Sequence, residues 1–228
     1  ESQLVLRGDE AHHLSRVRRQ HLGDVVEVVD GEGHFYLARL VELGKSEVVA
    51  DIVECRSEYG ESDLHLALAP ALIKGQRFDF VIEKAIEVGV AAISPMLNER
   101  GVAKNKSEHK LERWQRLARA ATKQCGRSRC PQVEPPDGFG AVLEELNRSC
   151  DLVLMATPAA GEAKLDRCFA ESDAKKVGLL VGPEGGFSPA EVEQARALGV
   201  RCFSWGPRIL RADTACVVLA ALVLDQFE

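Results

Sequence analysis

From residue 64 onwards, short apolar segments alternate with segments of helical periodicity, and this alternation restricts the possible folds more than any other feature. The apolar segments lie at residues 64–69, 92–96, 152–156, 177–181 and 200–205. Helical patterns near residues 75–88 and 107–124 lie between them. Strands that are apolar on both faces and joined through helices predict a parallel α/β sheet covered on both sides.

The first 56 residues have a different pattern. Residues 25–29, 34–43 and 47–55 are rich in β-branched residues, and the sequence Asp30-Gly31-Glu32-Gly33 predicts a tight turn between the first two segments. A helix over residues 10–20 with Asp9 as N-cap interrupts them. These features predict a small β-barrel, and the polar residues 57–63 predict a linker. We therefore expect two domains, 1–62 and 63–228.

Composition excludes several classes of protein. The 228 residues, of which 46% are hydrophobic, are sufficient for one or two domains with a sizeable core. We find no apolar run of the ~18 residues that a membrane-spanning helix needs and no signal-peptide pattern at Glu1. None of the seven cysteines is paired in a C-x-x-C motif. We predict a cytoplasmic protein with reduced thiols, without a metal site and without a membrane partner.

The charge distribution is more informative than the net charge of −6. Residues 1–63 hold 7 Lys and Arg against 14 Asp and Glu, whereas residues 98–129 hold 10 against 3. A local basic block produces a local field that suits a phosphate backbone, although a solvated helix face has the same composition. Arg113, Arg116, Lys123 and Arg127 recur at helical spacing within this block, opposite an apolar stripe that includes Trp114. A second basic patch includes His12, His13, Arg16, Arg18 and Arg19.

A glycine-rich turn follows the apolar strand at 177–181. It comprises Gly182-Pro183-Glu184-Gly185-Gly186-Phe187, after which Ser188, Pro189 and Glu191 form the start signal of a helix. Glycines allow a ligand to approach the backbone closely, and the carboxyl ends of parallel strands are where open α/β sheets bind ligands. The segment is neither a P-loop nor a G-x-G-x-x-G motif. An ordinary strand–turn–helix junction is the alternative.

A second turn, Trp205-Gly206-Pro207, follows the strand at 200–205 and precedes two arginines, Arg208 and Arg211. The helix after it is apolar on nearly every side, which predicts that it is buried. Arg211 and Asp213 therefore lie at the start of a buried element, where a charge without a partner is costly. They either pair with each other or face a ligand.

These motifs, in this order and spacing, resemble the RsmE family, the 16S rRNA uridine-N3 methyltransferases of the SPOUT superfamily. The motifs are 181–188 followed by 206–211, together with 8–13, 16–18, 84–90 and 124–128. The resemblance covers nearly the whole chain. It departs from the family at Ala212-Asp213, where Thr-Glu is common, at Trp205, where Leu is common, and in the opening strand, which we expect to be missing or shortened.

The resemblance implies an N-terminal PUA-like β-barrel that holds RNA and a C-terminal SPOUT α/β trefoil-knot domain. It also implies a homodimer that acts on 16S rRNA or the assembled small subunit, with S-adenosyl-L-methionine as methyl donor. The expected cofactor-binding residues are Thr157, Val181, Gly182, Pro183, Glu184, Gly185, Gly186, Trp205, Gly206, Ile209 and Leu210. The expected RNA-binding residues are His13, Arg16, Arg18, Arg19, Arg116, Lys123 and Arg127.

Uridine N3 carries a proton at neutral pH, so its methylation requires deprotonation. We expect Asp213 or Glu184 to assist deprotonation or to orient the base, and Arg211 to stabilise the uracil anion. Three other functions fit the residues. They are methylation of tRNA or another rRNA site, non-catalytic RNA binding, and an α/β enzyme that uses the glycine turn as an anion site for a phosphorylated small molecule.

Overall fold

The computed structural model describes residues 3–12, 14, 20–44, 46–101, 108–157, 163–169 and 172–227. The chain divides into two compact units. The first unit comprises residues 1–61 together with 126–130, and the second comprises residues 62–125 and 131–228. Within the described residues, no helix is both long and apolar enough to cross a membrane.

The first unit contains an antiparallel sheet of four strands in the order β1-β4-β3-β2. The strands are β1 (Gln3–Arg7), β2 (Val25–Val29), β3 (His34–Leu43) and β4 (Glu47–Ser57). Register shifts between β3 and β4 mark β-bulges, which bend a strand and increase its twist. The described residues thus contain the antiparallel strands of the predicted barrel, with β1 and β2 at the edges. The first described strand, β1, pairs with β4.

Alternate residues of these strands face a small core, as period-two patterning requires. The core residues are Ala11, Val26, Ala38, Leu40, Val48 and Ala50. Ala11 belongs to the short helix α1 (Asp9–His12), which begins at Asp9 rather than after it. Most of the predicted helix over 10–20, including residues 13 and 15–19, lies outside the described residues.

Residues 126–130 belong to the first unit, although the sequence analysis assigned them to the second domain, 63–228. The Ser128 N–H donates to the Tyr59 carbonyl, and the Gly33 N–H donates to the Ser128 carbonyl, both at 3.0 Å. The Arg127 guanidinium is buried against the Glu61 carboxylate, with Nη2 2.6 Å from Oε2. The predicted linker 57–63 therefore supplies binding partners for this segment.

The second unit contains a parallel sheet of six strands in the order β12-β10-β11-β5-β6-β8. These strands are β5 (His65–Pro70), β6 (Ala92–Ile93), β8 (Gln132–Val133), β10 (Leu152–Ala156), β11 (Lys176–Val181) and β12 (Arg201–Phe203). The segment predicted as one strand over 92–96 is divided, because Pro95 cannot donate to a strand ladder. Its second part, β7 (Met96–Leu97), pairs instead with β9 (Asp137–Gly138).

Helices cover both faces of this sheet. They are α2 (Gln76–Glu87), α3 (Glu108–Cys125), α4 (Phe139–Ser149), α5 (Leu165–Phe169), α6 (Pro189–Ala197) and α7 (Ala212–Leu224). Helices α4 and α6 share a core with Val153 and Met155 of β10. Helix α7 packs on α2, β5 and β11. Helix α7 is apolar and largely buried, as its sequence predicted.

Candidate functional site

Three neighbouring strands of the second unit end at the same edge of the sheet. Ala156, the last residue of β10, is in register with Val181 at the end of β11 and with Phe203 at the end of β12. Because the strands are parallel, the loops that follow them meet at this edge. These loops enclose a cavity of about 490 Å³, called here the strand-end cavity. The fold therefore brings together the two glycine turns that the sequence singled out.

The glycine turn after β11 requires glycine at a defined position. A Cβ on Gly182 would lie 3.1 Å from two ring carbons of Phe187, which is closer than side-chain packing normally allows. Gly186 has a φ of +68°, a conformation that other residues rarely adopt. Ser188 and Glu191 then form a complete capping box at the start of α6, with Pro189 in its first turn. The local sequence signals and the local geometry agree.

Residues 98–100, which are distant in sequence, form hydrogen bonds with this turn and with Glu191. The buried Glu191 carboxylate accepts hydrogen bonds from Asn98 Nδ2 at 3.1 Å, the Glu99 N–H at 3.0 Å and the Ser188 N–H at 2.8 Å. Arg100 Nη1 donates to the Gly185 and Phe187 carbonyls at 3.2 and 3.3 Å. These contacts connect the turn and the start of α6 to residues 98–100. Neither Asn98 nor Arg100 could be predicted from the sequence, because no local pattern connects them to residues some 90 positions away.

Ten of the eleven residues expected to bind a cofactor line the strand-end cavity. They are Thr157, Val181, Gly182, Pro183, Glu184, Gly186, Trp205, Gly206, Ile209 and Leu210. Gly185 is not among the lining residues, and its carbonyl faces Arg100 instead. Pro207, which lies within the second glycine turn, and Arg208, which follows it, also line the cavity. The lining residues that the sequence did not indicate are Ala156, Lys164, Phe187, Phe203, Ser204, Ala212, Ala215 and Leu219.

The lining suits a ligand with both apolar and polar parts. Phe187, Phe203 and Leu219 provide apolar walls, and Lys164 and Glu184 provide opposite charges. The Thr157 hydroxyl oxygen is buried and has no hydrogen-bond partner among the described residues. An unpaired buried hydroxyl is costly, and a ligand group in the cavity would relieve that cost after rotation of the side chain. The volume lies within the ~300–1,000 Å³ of small-molecule sites.

The three candidate catalytic residues lie beside this cavity. Glu184 lines it, and its Oε1 lies 2.7 Å from Nη1 of Arg77 in α2. The sequence left open whether Arg211 and Asp213 pair with each other or face a ligand. In the structure, Arg211 Nη2 lies 3.5 Å from Asp213 Oδ2. Only 12% of the Asp213 side chain is exposed, against 68% for Arg211. Burial raises the pKa of the Cys216 thiol, and the Asp213 carboxylate raises it further.

Arg211 and Asp213 also line a second, shallower cavity of about 350 Å³, called here the α2–α7 pocket. The remaining lining residues are Gln76, Arg77, Phe80 and Thr214. Between Arg211 and Asp213 in the chain, Ala212 lines the strand-end cavity. The start of α7 therefore faces one cavity with Ala212 and the other with its two charged neighbours.

The structure separates the candidate RNA-binding residues into three groups. Arg116 and Lys123 are exposed on α3. Arg127 is buried in the ion pair with Glu61, so the expectation that it contacts RNA phosphates does not match its environment. His13, Arg16, Arg18 and Arg19 lie outside the described residues. The apolar stripe of α3 packs as predicted, and Trp114 lies against Phe78 of α2 with ring centroids 4.7 Å apart.

Known proteins share both units. The family model described as an RNA methyltransferase domain matches residues 60–224, and the RNA methyltransferase PUA domain matches residues 6–53. Ribosomal RNA small subunit methyltransferase E of Synechocystis is 36% identical over 98% of this chain and 73% of its own length. The protein of that name from Bacillus subtilis is 31% identical over 97% of this chain and 89% of its own length.

A solved structure extends the similarity to three dimensions. The small subunit methyltransferase E of Neisseria gonorrhoeae, bound to S-adenosyl methionine, superposes with a TM-score of 0.85 at 29% identity. The superposition covers 99% of this chain and 92% of the other.

Proposed function

The chain belongs to the RsmE family of RNA methyltransferases, with a SPOUT-type α/β domain and an N-terminal PUA-like domain, and from this we propose its reaction. The protein transfers the methyl group of S-adenosyl-L-methionine to N3 of a specific uridine in 16S rRNA. The substrate is the rRNA itself or the assembled small subunit. Methylation of this kind is a step of ribosome maturation in the cytoplasm, where we place the protein.

One observation carries this proposal more than any other. The strand-end cavity joins both glycine turns to the start of α7, and the candidate charges Arg211 and Asp213 lie next to it. The lining offers apolar surface for an adenine ring, polar groups for a ribose and Lys164 for a carboxylate. A donor held there would be adjacent to a second cavity in which an acceptor base could lie. Alignment of donor and acceptor is the main contribution that a protein makes to a displacement of this kind.

S-adenosyl-L-methionine supplies an electrophilic methyl group on a positively charged sulfur. The protein must make the N3 nitrogen of uracil nucleophilic, and for this the N3 proton has to leave. Asp213 is the proposed proton acceptor or orienting group, because its carboxylate is mostly buried and its Oδ2 lies 3.5 Å from Arg211 Nη2. Arg211, whose side chain is 68% exposed, is the proposed group that stabilises negative charge as it develops on the uracil oxygens.

Glu184 has a different environment from Asp213. Its carboxylate is held by Arg77, and it lines the donor side of the site rather than the α2–α7 pocket. We therefore assign Glu184 to the cofactor, where a carboxylate suits ribose hydroxyls, and leave acceptor chemistry to Asp213. Asp213, one methylene shorter than the Glu that is common in the family, lines the α2–α7 pocket.

RNA binding is proposed for the basic side chains that are exposed. Arg116 and Lys123 lie on α3, and Arg119, which sequence analysis did not select, is also exposed on this helix. Phosphate contacts position an RNA without reading its sequence, so this helix would hold the substrate rather than choose the nucleotide. The protein is proposed to act as a homodimer.

The decisive experiment maps methylated nucleotides in 16S rRNA from a strain that lacks this protein. The strain is compared with the same strain after restoration of the wild-type chain or of Asp213→Asn. We expect one N3-methyluridine to disappear, to return with the wild-type chain and to remain absent or scarce with the variant. Calorimetry with S-adenosyl-L-methionine should show unchanged affinity for the variant. No difference between the rRNA of the deletion and wild-type strains would overturn the proposed function.

A further inference from the structure

Phe80 is an aromatic side chain that neither the core nor the proposed mechanism uses. It lies on α2 and is 46% exposed, whereas Phe78, two residues earlier, is 2% exposed and packs against Trp114. Gln76 and Arg77 precede Phe80 by four and three residues, so the three side chains share one face of the helix. All three line the α2–α7 pocket. An exposed phenyl ring beside a charged cavity requires an explanation.

The chemistry of this pocket matches a nucleobase. It combines one aromatic face with the guanidinium groups of Arg77 and Arg211, the carboxylate of Asp213 and the polar ends of Gln76 and Thr214. Single-stranded bases bind proteins by stacking on aromatic rings and by hydrogen bonds at their edges. The volume of about 350 Å³ is ample for one pyrimidine nucleotide. A small apolar ligand would not need three charged side chains in such a site.

The position of the pocket fits an acceptor base rather than a second cofactor. Arg77 lines the α2–α7 pocket and pairs with Glu184, which lines the strand-end cavity. The two cavities therefore lie on either side of one ion pair and of the first turn of α7. A base bound in this pocket would share the cavity with Asp213, so the Asp213 carboxylate could act on the edge of the base. Enzymes that modify a base hold it out of the stack in a pocket of this kind.

We propose that Phe80 is the stacking platform for the uracil that receives the methyl group, and that Arg77 positions Glu184 at the boundary between donor and acceptor. This inference rests on the proposed function and adds a substrate-binding residue to it. Stacking on a flat ring fixes the plane of the base, and Asp213 and Arg211 then act on groups in that plane. The platform explains why α2 presents an exposed aromatic ring beside a charged pocket.

The test compares Phe80→Leu with Phe80→Tyr on small subunits from the deletion strain. Leucine keeps an apolar side chain but has no ring, whereas tyrosine keeps the ring. Stacking of one base contributes roughly a 5- to 150-fold effect, so we expect kcat/KM to fall by about that factor in Phe80→Leu and to recover in Phe80→Tyr. Leu198→Ala, at an exposed apolar residue that lines neither cavity, should retain wild-type kinetics.

A readout that does not depend on activity uses small subunits reconstituted with 16S rRNA containing 5-iodouridine at the mapped acceptor position. Irradiation should crosslink that nucleotide to the peptide that contains Phe80. Equal kinetics of Phe80→Leu and wild type, or a crosslink confined to other peptides, would overturn the platform while leaving the proposed methylation intact. Conversion of a wild-type dimer to monomers by Phe80→Leu would also overturn it, because Phe80 would then belong to a subunit contact. Absence of methylation by the wild-type chain would instead overturn the proposed function.

Discussion

The Arg77 guanidinium lies 2.7 Å from the Glu184 carboxylate, although 107 residues separate the two in the chain. Arg77 lies in the first turn of α2, and Glu184 lies in the glycine turn that follows β11. Each side chain is about 40% exposed, so solvent screens the pair and its contribution to stability is small. Because Arg77 lines the α2–α7 pocket and Glu184 lines the strand-end cavity, we propose that the pair orients Glu184.

We predict that Arg77→Ala and Glu184→Gln each lower kcat/KM about 10-fold, and that the double variant is no worse than either single variant. Residues that act as one unit give such non-additive effects. The free energy of unfolding should change by less than about 1 kcal/mol in both. Lys84→Ala, which removes a half-buried ion pair of the same helix that lines neither cavity, is the control and should leave kinetics unchanged. Additive losses would show that the two side chains act separately.

A second prediction concerns Gly182. Its substitution by Ala would place a methyl group 3.1 Å from the Phe187 ring, which is itself packed against Phe139. Overpacking costs about 1–3 kcal/mol, and here the strain should displace the turn that lines the cavity. We expect at least about a 5-fold loss of affinity for S-adenosyl-L-methionine by calorimetry. Gly138→Ala is the control, since a Cβ there meets nothing within 4 Å. Wild-type affinity in Gly182→Ala would contradict the proposed position of the cofactor.

A variant of Arg127 can distinguish between two roles of this residue, stabilisation of the fold and contact with RNA. The Arg127 and Glu61 side chains are 5% and 9% exposed, and removal of one partner from a buried pair typically costs about 3–5 kcal/mol. Arg127→Ala should therefore lower the free energy of unfolding measured with urea by about that amount. Arg129→Ala breaks an ion pair with Glu58 whose side chains are half-exposed, and it should change stability much less because solvent screens the pair. If Arg127→Ala kept wild-type stability but bound RNA more weakly, that result would support the sequence-based assignment of Arg127 to RNA binding.

Trp205 should report cofactor binding by fluorescence. The chain has two tryptophans, of which Trp205 lines the strand-end cavity and Trp114 is buried under α2. Titration with S-adenosyl-L-methionine should change the emission of the wild-type protein because a ligand alters the surroundings of the Trp205 indole. The change should persist in Trp114→Phe and vanish in Trp205→Phe while calorimetry still detects binding. A signal that follows Trp114 would place the ligand elsewhere.

The salt dependence of RNA binding should reveal phosphate contacts on α3. Each such contact contributes roughly 0.7–0.9 to the slope of log affinity against log salt concentration. Arg116→Ala and Lys123→Ala should each weaken binding to 16S rRNA and reduce the magnitude of that slope by about the amount that one contact contributes. Arg148→Ala, at an exposed arginine of α4 outside the basic block, should leave the slope unchanged. Slopes equal to wild type in both α3 variants would exclude this face as the RNA contact.

Local sequence patterns predicted most of the secondary structure. The strands at 25–29, 34–43 and 152–156 have the predicted bounds, and the capping signals at Ser188 and Glu191 form the predicted capping box. Such features depend on residues within one turn or one strand of each other, so they can be predicted from the sequence. The glycine turn was predictable for this reason.

The sequence by itself determined the alternation of strands and helices, the position of the two glycine turns at strand ends and the burial of α7. The tertiary structure decided which loops meet. It placed β10 between β11 and β12, brought Arg77 to Glu184 and Arg100 to Gly185, and buried Arg127 against Glu61. These contacts depend on the order of strands in the sheet and on packing between distant segments. No periodicity along the chain encodes that order, because hydrophobic burial favours any arrangement that covers the same apolar surface.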